Sequence, residues 1–254
     1  MATQRKIALV TGGSRGLGKD MVLSLAKKGL NLIFTYNSNK EEAKKVVNEV
    51  LSLGQKAIAY QLDVSKPESF DDFINKVTNH LIDQESNPNI DFLINNAGLG
   101  AYGKITETSE ATLDLMYSIH LKAPYLLTQK LFPFINEGGA VVNISSGLTR
   151  FSYDGYAPYA IMKGAIDTLT KYMAKEFSSK KIRVNALAPG AIETDFGGGA
   201  VRDNKELNSM IATQTALGRV GLPDDIGSVI AFLCSDDAKW INAQRLEVSG
   251  GVHI

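Results

Sequence analysis

The pair of side chains best suited to chemistry in this sequence is a tyrosine and a lysine four residues apart, in Tyr159-Ala160-Ile161-Met162-Lys163. The surrounding pattern predicts a helix, and four residues make about one helical turn, so both side chains would share a face. An ammonium group beside a phenol favours the phenolate, and we therefore expect Lys163 to lower the pKa of Tyr159 below its ordinary value of about 10. A phenol tuned in this way can act as a general acid or base. A solvent-exposed helix pair without function is the alternative interpretation.

Two serines, Ser145 and Ser146, close an apolar run that is typical of a buried strand. The carboxyl ends of the strands are where an open α/β sheet binds its ligand. A hydroxyl group there could bond a substrate oxygen, and it could equally satisfy backbone groups of the loop. Ser146 is therefore a candidate partner of Tyr159, with a structural role as the alternative.

A glycine-rich turn follows the first predicted strand and precedes the first predicted helix, in the pattern Gly12-x3-Gly16-x-Gly18. Free backbone N–H groups and the positive end of the helix dipole suit such a turn to a phosphate group. The spacing is a variant of the dinucleotide-binding turn. We therefore favour a bound dinucleotide over a tight connection that binds nothing.

Two other patterns overlap with this turn. Ser14 lies between two glycines as in the nucleophile elbow of serine hydrolases, although that elbow normally has several strands before it. Residues 13–19 nearly match the phosphate loop of nucleotide hydrolases, except that Asp20 stands where Ser or Thr should bind Mg²⁺. A hydrolase that uses Ser14 stays open here as the weaker alternative.

The residues after the second predicted strand indicate which dinucleotide is bound. In NAD-binding folds, an acidic residue about 20 positions after the turn bonds the adenosine ribose. Here the strand is followed by Asn37 and Ser38, which carry no charge. Arg15 lies inside the turn, and its planar guanidinium suits a 2′-phosphate. We expect a preference for NADP(H), with NAD(H) as the weaker cofactor; a solvated surface charge is the alternative for Arg15.

Apolar, β-rich runs alternate with helical patterns along the chain, which predicts a parallel sheet with helices on both faces. Capping boxes are expected at Ser38–Glu41 and Ser65–Glu68, helix C-caps at Gly29 and Gly54, and a kink at Pro124. The predicted strands are residues 7–11, 32–36, 57–62, 92–95, 140–145, 183–188 and 245–248. The predicted helices are about residues 16–28, 40–53, 67–83, 109–135, 157–180 and 223–234.

Composition narrows the classes of function. Lys and Arg total 27 and Asp and Glu total 27, so charge gives no reason to expect a nucleic acid or a membrane as partner. The single cysteine, Cys234, excludes an intrachain disulfide. No His, Cys or carboxylate cluster has zinc-ligand spacing, so no metal is expected. The polar start and the lack of an apolar run of about 18 residues favour a cytoplasmic protein.

Together the motifs resemble those of the short-chain dehydrogenase/reductase family over essentially the whole chain, nearest to its 3-oxoacyl-thioester (acyl-carrier-protein) reductase and ketoreductase branch. The resemblance implies one domain, residues 1–254, with a doubly wound Rossmann-type α/β fold and a seven-stranded parallel sheet. It also implies a homotetramer. The motifs are the glycine turn, Asp63 after strand three, Asn95-Asn96-Ala97-Gly98 after strand four, Ser146, the Tyr159–Lys163 pair, and Pro189-Gly190-x3-Thr194 after strand six.

The same resemblance implies a hydride transfer between NADPH and a ketone, a 3-oxoacyl substrate or the corresponding secondary alcohol. Tyr159 would protonate the carbonyl oxygen, Ser146 would orient it, and Lys163 would hold the nicotinamide ribose. Residues 195–210 would form a lid over the substrate. The implied cofactor-binding residues are Gly12, Ser14, Arg15, Gly16, Leu17, Gly18, Asn37, Ser38, Asp63 at the adenine, Val64, Asn95 in the groove, Ala97, Gly98, Tyr159, Lys163, Pro189, Gly190, Ile192, and Thr194 at the carboxamide.

His120 is a departure from the family pattern. The family usually has Asn in a run like Asn-Leu-Lys-x-Pro, where this chain has His120-Leu121-Lys122-Ala123-Pro124. In the family, that Asn helps to hold a water that relays protons to the lysine. A neutral histidine can both donate and accept hydrogen bonds, so we expect His120 to act as a fourth catalytic residue. A structural role is the alternative, and it keeps open a module that senses NADP(H) without turnover.

Overall fold

A computed structural model describes residues 5–254. Within them, seven strands form one parallel sheet in the order β3-β2-β1-β4-β5-β6-β7, which confirms the predicted fold class. The strands are β1 (Ile7–Val10), β2 (Asn31–Tyr36), β3 (Ala57–Gln61), β4 (Ile90–Asn95), β5 (Ile135–Ile144), β6 (Arg183–Pro189) and β7 (Arg245–Val248). The helices are α1 (Gly16–Lys27), α2 (Lys40–Ser52), α3 (Phe70–Glu85), α4 (Glu110–Tyr117), α5 (Ala123–Leu131), α6 (Ala157–Glu176), α7 (Ala200–Asp203), α8 (Lys205–Thr213) and α9 (Pro223–Leu233).

Both faces of the sheet are apolar because helices cover each of them. Successive side chains of a strand point to opposite faces. In β1, Ala8 and Val10 join a core with α1, α2 and α9, whereas Ile7 and Leu9 join a second core with α3, α5 and α6. This arrangement explains why the strands have nearly continuous apolar sequences.

The strand order reverses between β1 and β4, which are neighbours in the sheet. Loops that leave such a point in opposite directions open a crevice at the carboxyl edge, where sheets of this kind bind ligands. The glycine turn after β1 and the Asn95–Gly98 loop after β4 border this crevice. The loops after β5 and β6 reach the same edge.

Both predicted capping boxes are wrong. Helix α2 is capped by Asn39, whose side chain accepts a hydrogen bond from a helix N–H group at 3.1 Å, and not by Ser38. Ser65 donates its hydroxyl proton to the Asp63 carboxylate at 2.7 Å, and α3 begins only at Phe70, after a short 3-10 turn. In the first case a neighbouring side chain forms the cap, and in the second the serine hydroxyl is bound by a carboxylate two residues before it.

The predicted helix over residues 109–135 is divided into α4 and α5. A π-helical turn, Ser118–Lys122, separates them and lies just before Pro124. Proline cannot donate a backbone hydrogen bond, and a wider turn accommodates the interruption. The predicted interruption near Pro124 thus takes the form of a π-helical turn, and His120 within it is buried, at 1% exposed.

Gly29 and Gly54 end the first two helices with positive φ angles of 89° and 77°, as predicted. β5 begins at Ile135 rather than near residue 140, with an irregular register against β4. Among the described residues, no helix combines the length and the apolar character needed to cross a bilayer.

Candidate active site

The glycine turn packs too closely for side chains at two of its positions. A Cβ atom on Gly18 would overlap with the carbonyl oxygen of Gly12, and one on Gly13 would lie 2.7 Å from Cβ of Phe34. Gly12 and Gly16 have positive φ angles of 69° and 52°, which glycine adopts without strain. The glycines therefore allow β1 to meet the first turn of α1, whose N-cap residue, Arg15, makes no side-chain cap hydrogen bond.

The loop after β4 is fastened to the glycine turn. Thr11 Oγ1 accepts hydrogen bonds from the backbone N–H groups of Asn96 and Ala97, at 2.9 and 3.0 Å. The side-chain amide of Asn96 donates to the Thr11 carbonyl oxygen at 2.9 Å. The two loops that border the crevice thus form one unit, which brings Ala97 and Gly98 beside the turn.

Asn95 is held in a buried network of amides and hydroxyls. Its Nδ2 donates to Thr128 Oγ1 at 2.9 Å and to Asn143 Oδ1 at 2.8 Å, and Asn143 donates in turn to Thr170 at 3.0 Å. These bonds join β4, β5, α5 and α6 beneath the crevice. They give Asn95 a structural role in the described chain; its predicted contact with the cofactor stays a prediction.

The residues predicted to recognise the adenosine half lie at the rim. Arg15, Asn37 and Ser38 are exposed after β1 and β2. The Asp63 carboxylate accepts hydrogen bonds from the backbone and the hydroxyl of Ser65, which lower its pKa and fix its direction. The other predicted residues of this half are buried or half-buried: Ser14, Leu17 and Val64.

The segment after β6 faces the glycine turn. A Cβ atom on Gly16 would lie 3.5 Å from Cβ of Thr194, so these two predicted binding residues meet across the crevice. The Gly190 N–H group donates to the carbonyl oxygen of Val248 at 3.0 Å, and Ile192 forms a β-bridge with Gly221. These contacts hold the chain that continues from Pro189 close to the sheet.

Three of the predicted catalytic side chains meet beside the end of β5. The Ser146 hydroxyl, which accepts a hydrogen bond from the Leu148 N–H group at 3.2 Å, lies close enough to Tyr159 to lower its pKa, and Tyr159 is only 8% exposed. Lys163 Nζ lies 5.5 Å from the centre of the Tyr159 ring and donates a hydrogen bond to the carbonyl oxygen of Ile144 at 2.7 Å. The helical spacing of α6 and the end of β5 therefore bring a phenol, an alcohol and an amine together.

Burial dominates the pKa values of this centre. It raises the pKa of Tyr159 above its ordinary value, and the Ser146 hydroxyl offsets this only in part. Burial also lowers the pKa of Lys163 to about 7, against the opposing charge of Asp167. The expected lowering of the Tyr159 pKa by Lys163 is therefore wrong in direction, because desolvation acts on the phenol directly while the ammonium bonds to the Ile144 carbonyl.

His120 packs edge-on against the Tyr159 ring, with ring centres 5.0 Å apart at 89°. Its Nε2 lies 2.7 Å from the carbonyl oxygen of Leu99, which can only accept, so Nε2 carries the proton and Nδ1 is left as an acceptor. Within residues 5–254, Nδ1 is buried and has no hydrogen-bond partner. Burial, and then the charge of Lys163, lower the pKa of His120 to about 3, so the imidazole is neutral at physiological pH.

Gly98 makes room for this imidazole. A Cβ atom on Gly98 would lie 2.7 Å from Cε1 of His120. The π-helical turn and the glycine together explain how a histidine fits between the β4 loop and Tyr159. The structure thus brings His120 to the other three predicted catalytic residues.

Phe196 lies within the predicted lid, residues 195–210, and contacts Tyr159, although the sequence did not single it out as a site residue. Its ring centre lies 5.6 Å from that of Tyr159, and the residue is 44% exposed. Residues Gly197–Gly199, which follow it, all have positive φ, at 62°, 75° and 80°. The Phe196 N–H group donates to Thr194 Oγ1 at 3.2 Å. Its position two residues after the predicted carboxamide contact is the signal that could have found it.

A second aromatic pair joins the loop after β4 to the segment before α6. Tyr102 and Tyr156 form an edge-to-face pair with ring centres 5.7 Å apart, and Tyr102 is 70% exposed. Gly155 has a φ of 82°, and a Cβ atom there would overlap with the Tyr102 ring. The Gly103 N–H group donates to the Gly155 carbonyl oxygen at 2.9 Å.

In the part of the chain that the structure describes, no group of three His, Cys, Asp or Glu side chains could hold a metal ion.

Comparisons with known proteins agree on a family of reductases. The sequence model of a family described as Enoyl-(Acyl carrier protein) reductase matches residues 12–253. An uncharacterized oxidoreductase of Methylorubrum extorquens is 35% identical over 247 residues, which cover 97% of each chain. A hydroxynaphthalene reductase-like protein of Metarhizium anisopliae is 32% identical over 97% of this chain and 94% of its own. The solved structure of the angucycline C-6 ketoreductase LanV with bound NADP is 30% identical, with a TM-score of 0.92 over 98% of this chain and 95% of that one.

Proposed function

The chain belongs to the short-chain dehydrogenase/reductase family, whose members are NAD(P)-dependent oxidoreductases, and from this premise we propose that it is an NADPH-dependent ketoreductase. Tyr159 is the proton donor to the carbonyl oxygen. The observation that carries the proposal is the buried grouping of Ser146, Tyr159 and Lys163 at the carboxyl edge of the sheet, the edge at which the glycine turn also lies. A hydrolase based on Ser14 finds no support, because the family and the named relatives are reductases.

The glycine turn fits the pyrophosphate of a dinucleotide. The turn lies at the start of the 12-residue helix α1, where the helix dipole favours an anion. Thr194, opposite Gly16, is placed to bond the carboxamide, and the amine of Lys163 to bond the ribose. NADPH supplies the hydride when it is bound.

The proton chemistry follows from burial. A phenol with a raised pKa is protonated at neutral pH, which suits the acid needed for reduction rather than the base needed for oxidation. Ser146, whose hydroxyl lowers the pKa of the same phenol, would orient the carbonyl oxygen. Lys163 is charged below a pKa of about 7 and loses its charge as the pH rises through that value, so reduction should decline on the alkaline side.

His120 takes part as a neutral hydrogen-bond acceptor. With its proton fixed on Nε2 by Leu99, its Nδ1 can accept a hydrogen bond beside Tyr159 and Lys163, but it does not become an imidazolium near neutral pH. His120→Asn should keep most of the turnover, because an amide oxygen also accepts, whereas His120→Ala should lower kcat by about tenfold. Full turnover with an unchanged pH profile in His120→Ala would refute this role.

NADPH is preferred over NADH because Arg15 offers a cation at the adenosine end, where Asn37 and Ser38 provide no carboxylate to bond a ribose. LanV, with which the chain shares its fold, was solved with bound NADP. The other residues predicted to bind the adenosine half of the cofactor would hold its adenine and ribose. They are Asp63, Val64, Asn95, Ala97 and Gly98.

The substrate is a planar aromatic ketone. Phe196, which lies against the Tyr159 ring, and Tyr102 both present exposed ring surface. Aromatic side chains such as these stack on flat aromatic ligands. They lose less conformational freedom on binding than long aliphatic side chains do. The name of the Metarhizium relative, hydroxynaphthalene reductase-like, refers to a fused aromatic substrate. Residues 195–210, which begin next to Thr194, act as the lid.

A homotetramer in the cytoplasm completes the proposal. Apolar side chains are exposed on α4, α5 and α6: Leu115 41%, Tyr125 49%, Ile161 60% and Tyr172 63%. Exposed apolar surface of this kind marks protein contacts. Light scattering on the purified protein tests the assembly, and an Ile161→Glu variant should dissociate it.

The test of function compares β-tetralone with its saturated analogue β-decalone, each with NADPH and with NADH, by loss of the reduced cofactor. We expect β-tetralone with NADPH to be the best combination. Tyr159→Phe should reduce its turnover by about 10² to 10⁴ while NADPH binding persists. Phe196→Ala should raise KM for β-tetralone more than for β-decalone. Binding of NADPH without reduction of any ketone would instead favour a non-catalytic sensor.

A further inference from the structure

One guanidinium group connects the loop of Ser146 with helix α6. Arg245 Nη2 donates to the carbonyl oxygen of Ser146 at 3.0 Å, and its Nε donates to Thr149 Oγ1 at 3.0 Å. The same Nε lies 3.2 Å from Oδ2 of Asp167 on α6. Nη1 donates to Glu247 Oε2 at 3.0 Å. Arg245 therefore contacts the Ser146 loop, the helix of Lys163 and its own strand at once.

The sheet register explains how Arg245 reaches so far. Arg245 is the first residue of the edge strand β7 and pairs with Ala186 of β6, which in turn pairs with Asn143 of β5. Paired residues of neighbouring parallel strands point to the same face. Because Ala186 carries only a methyl group, the side chain of Arg245 can extend across β6 and reach the residues after β5.

We propose that Arg245 is a positioning residue that fastens the Ser146 loop and the α6 helix to one strand, and so fixes Ser146 and Lys163 relative to each other. The inference rests on the proposed function, because this geometry matters for catalysis only if both side chains act on a substrate. A planar guanidinium donates from Nε, Nη1 and Nη2 to three acceptors in fixed directions while its charge also pairs with Asp167, an arrangement that a single ammonium group cannot reproduce.

The same contact sets the charge near Lys163. Asp167 lies one helical turn after Lys163, and its Oδ1 is buried without a hydrogen-bond partner within residues 5–254. The other groups that face Lys163 are Tyr159 and His120, and both are neutral near pH 7. Asp167 is therefore the nearby charge that supports the ammonium form of Lys163, and Arg245 partly neutralises it.

Arg150 provides a matched control. It donates to the same partner, Glu247, at 2.9 and 2.6 Å, and to the carbonyl oxygens of Val252 and His253. Its hydrogen bonds in the described chain go to these groups and not to Ser146 or to α6. Arg150→Met thus removes an arginine from Glu247 without releasing the catalytic loop from the helix.

The experiment measures kcat, KM and NADPH affinity for Arg245→Met, Arg245→Lys, Asp167→Asn and Arg150→Met, with β-tetralone as substrate. Arg245→Met should lower kcat by about tenfold, because small displacements of reacting groups are costly, with NADPH affinity retained. Arg245→Lys should recover part of this loss. Arg150→Met should keep the kcat of the wild type.

The pH profile separates positioning from plain loss of stability. Loss of Arg245 leaves Asp167 uncompensated and should move the alkaline limb of kcat to higher pH. Loss of the Asp167 charge in Asp167→Asn should move the same limb to lower pH. Shifts in the same direction, or an Arg150→Met variant as impaired as Arg245→Met, would overturn the proposal.

Hydrogen exchange gives a readout that does not need activity. Amides of residues 145–149 should exchange faster in Arg245→Met, or in Arg245→Lys if the first variant does not fold, and not in Arg150→Met. Unchanged exchange in these residues would overturn the proposal even in an active enzyme. A wild-type protein that reduces no ketone would instead count against the proposed function, while the exchange result still decides the structural role of Arg245.

Discussion

Two glycine-rich segments face each other across the crevice, and their glycines are needed for different reasons. In the turn after β1, a side chain on Gly18 would overlap with the backbone of Gly12. In the segment after Phe196, no described atom lies within 4 Å of a Cβ placed on Gly197 or Gly198. Only their positive φ angles, of 62° and 75°, favour glycine at these two positions. Packing therefore constrains the first segment in addition to its positive φ angles, whereas Gly197 and Gly198 are constrained by backbone conformation alone.

This difference separates a rigid half of the site from an adjustable half. The turn is enclosed by β1, α1 and the β4 loop, so the groups that would meet a pyrophosphate cannot move without disturbing the sheet. The segment after Thr194 is held by side-chain contacts, such as the ion pairs of Arg202 with Asp195 and Asp203. The cofactor side of the site is therefore fixed, whereas the substrate side can adjust. Such a division suits an enzyme that always binds the same cofactor and fits its pocket to the substrate.

The largest expected effect is that of Gly18→Ala. The new methyl group would overlap with the backbone carbonyl of Gly12, and overpacking of this kind costs about 3 kcal/mol. We expect urea unfolding to show that loss and NADPH binding to fall sharply. Normal stability with normal NADPH affinity would show that the turn is less constrained than its packing indicates.

Arg15→Ala tests the rigid half without disturbing its backbone. Loss of a charged hydrogen-bond donor to a 2′-phosphate should cost about 2 kcal/mol, or roughly a 30-fold loss in kcat/KM with NADPH, and little with NADH. Lys28→Ala, an exposed cation at the far end of α1, is the control. An equal loss with both cofactors would contradict the assigned role of Arg15.

Gly197→Ala should have the smallest effect. An alanine in the left-handed region costs about 1 kcal/mol, and no clash is added. Unfolding should reveal that modest loss, and NADPH affinity should equal that of the wild type. A loss as large as that of Gly18→Ala would remove the distinction between the two segments.

The sequence allowed prediction of the sheet, the glycine turn and the grouping of Ser146, Tyr159 and Lys163, because these depend on apolar periodicity and on helical spacing. It did not allow prediction of the pKa direction of Tyr159, since a four-residue spacing reports a shared face and not the extent of burial. Asn39 displaced Ser38 as a cap, because neighbouring polar residues compete at helix starts. Arg245 was missed because its contacts depend on the register of β5, β6 and β7.

Deuterium transfer tests the central claim most directly. NADPH that carries deuterium at both C4 positions of the nicotinamide is incubated with β-tetralone and the wild-type protein, and the alcohol is analysed by mass spectrometry, with Tyr159→Phe in parallel. We predict an alcohol with deuterium on its carbinol carbon from the wild type, and almost none from the variant. An alcohol without deuterium, or equal yields from both proteins, would contradict hydride transfer with Tyr159 as the proton donor.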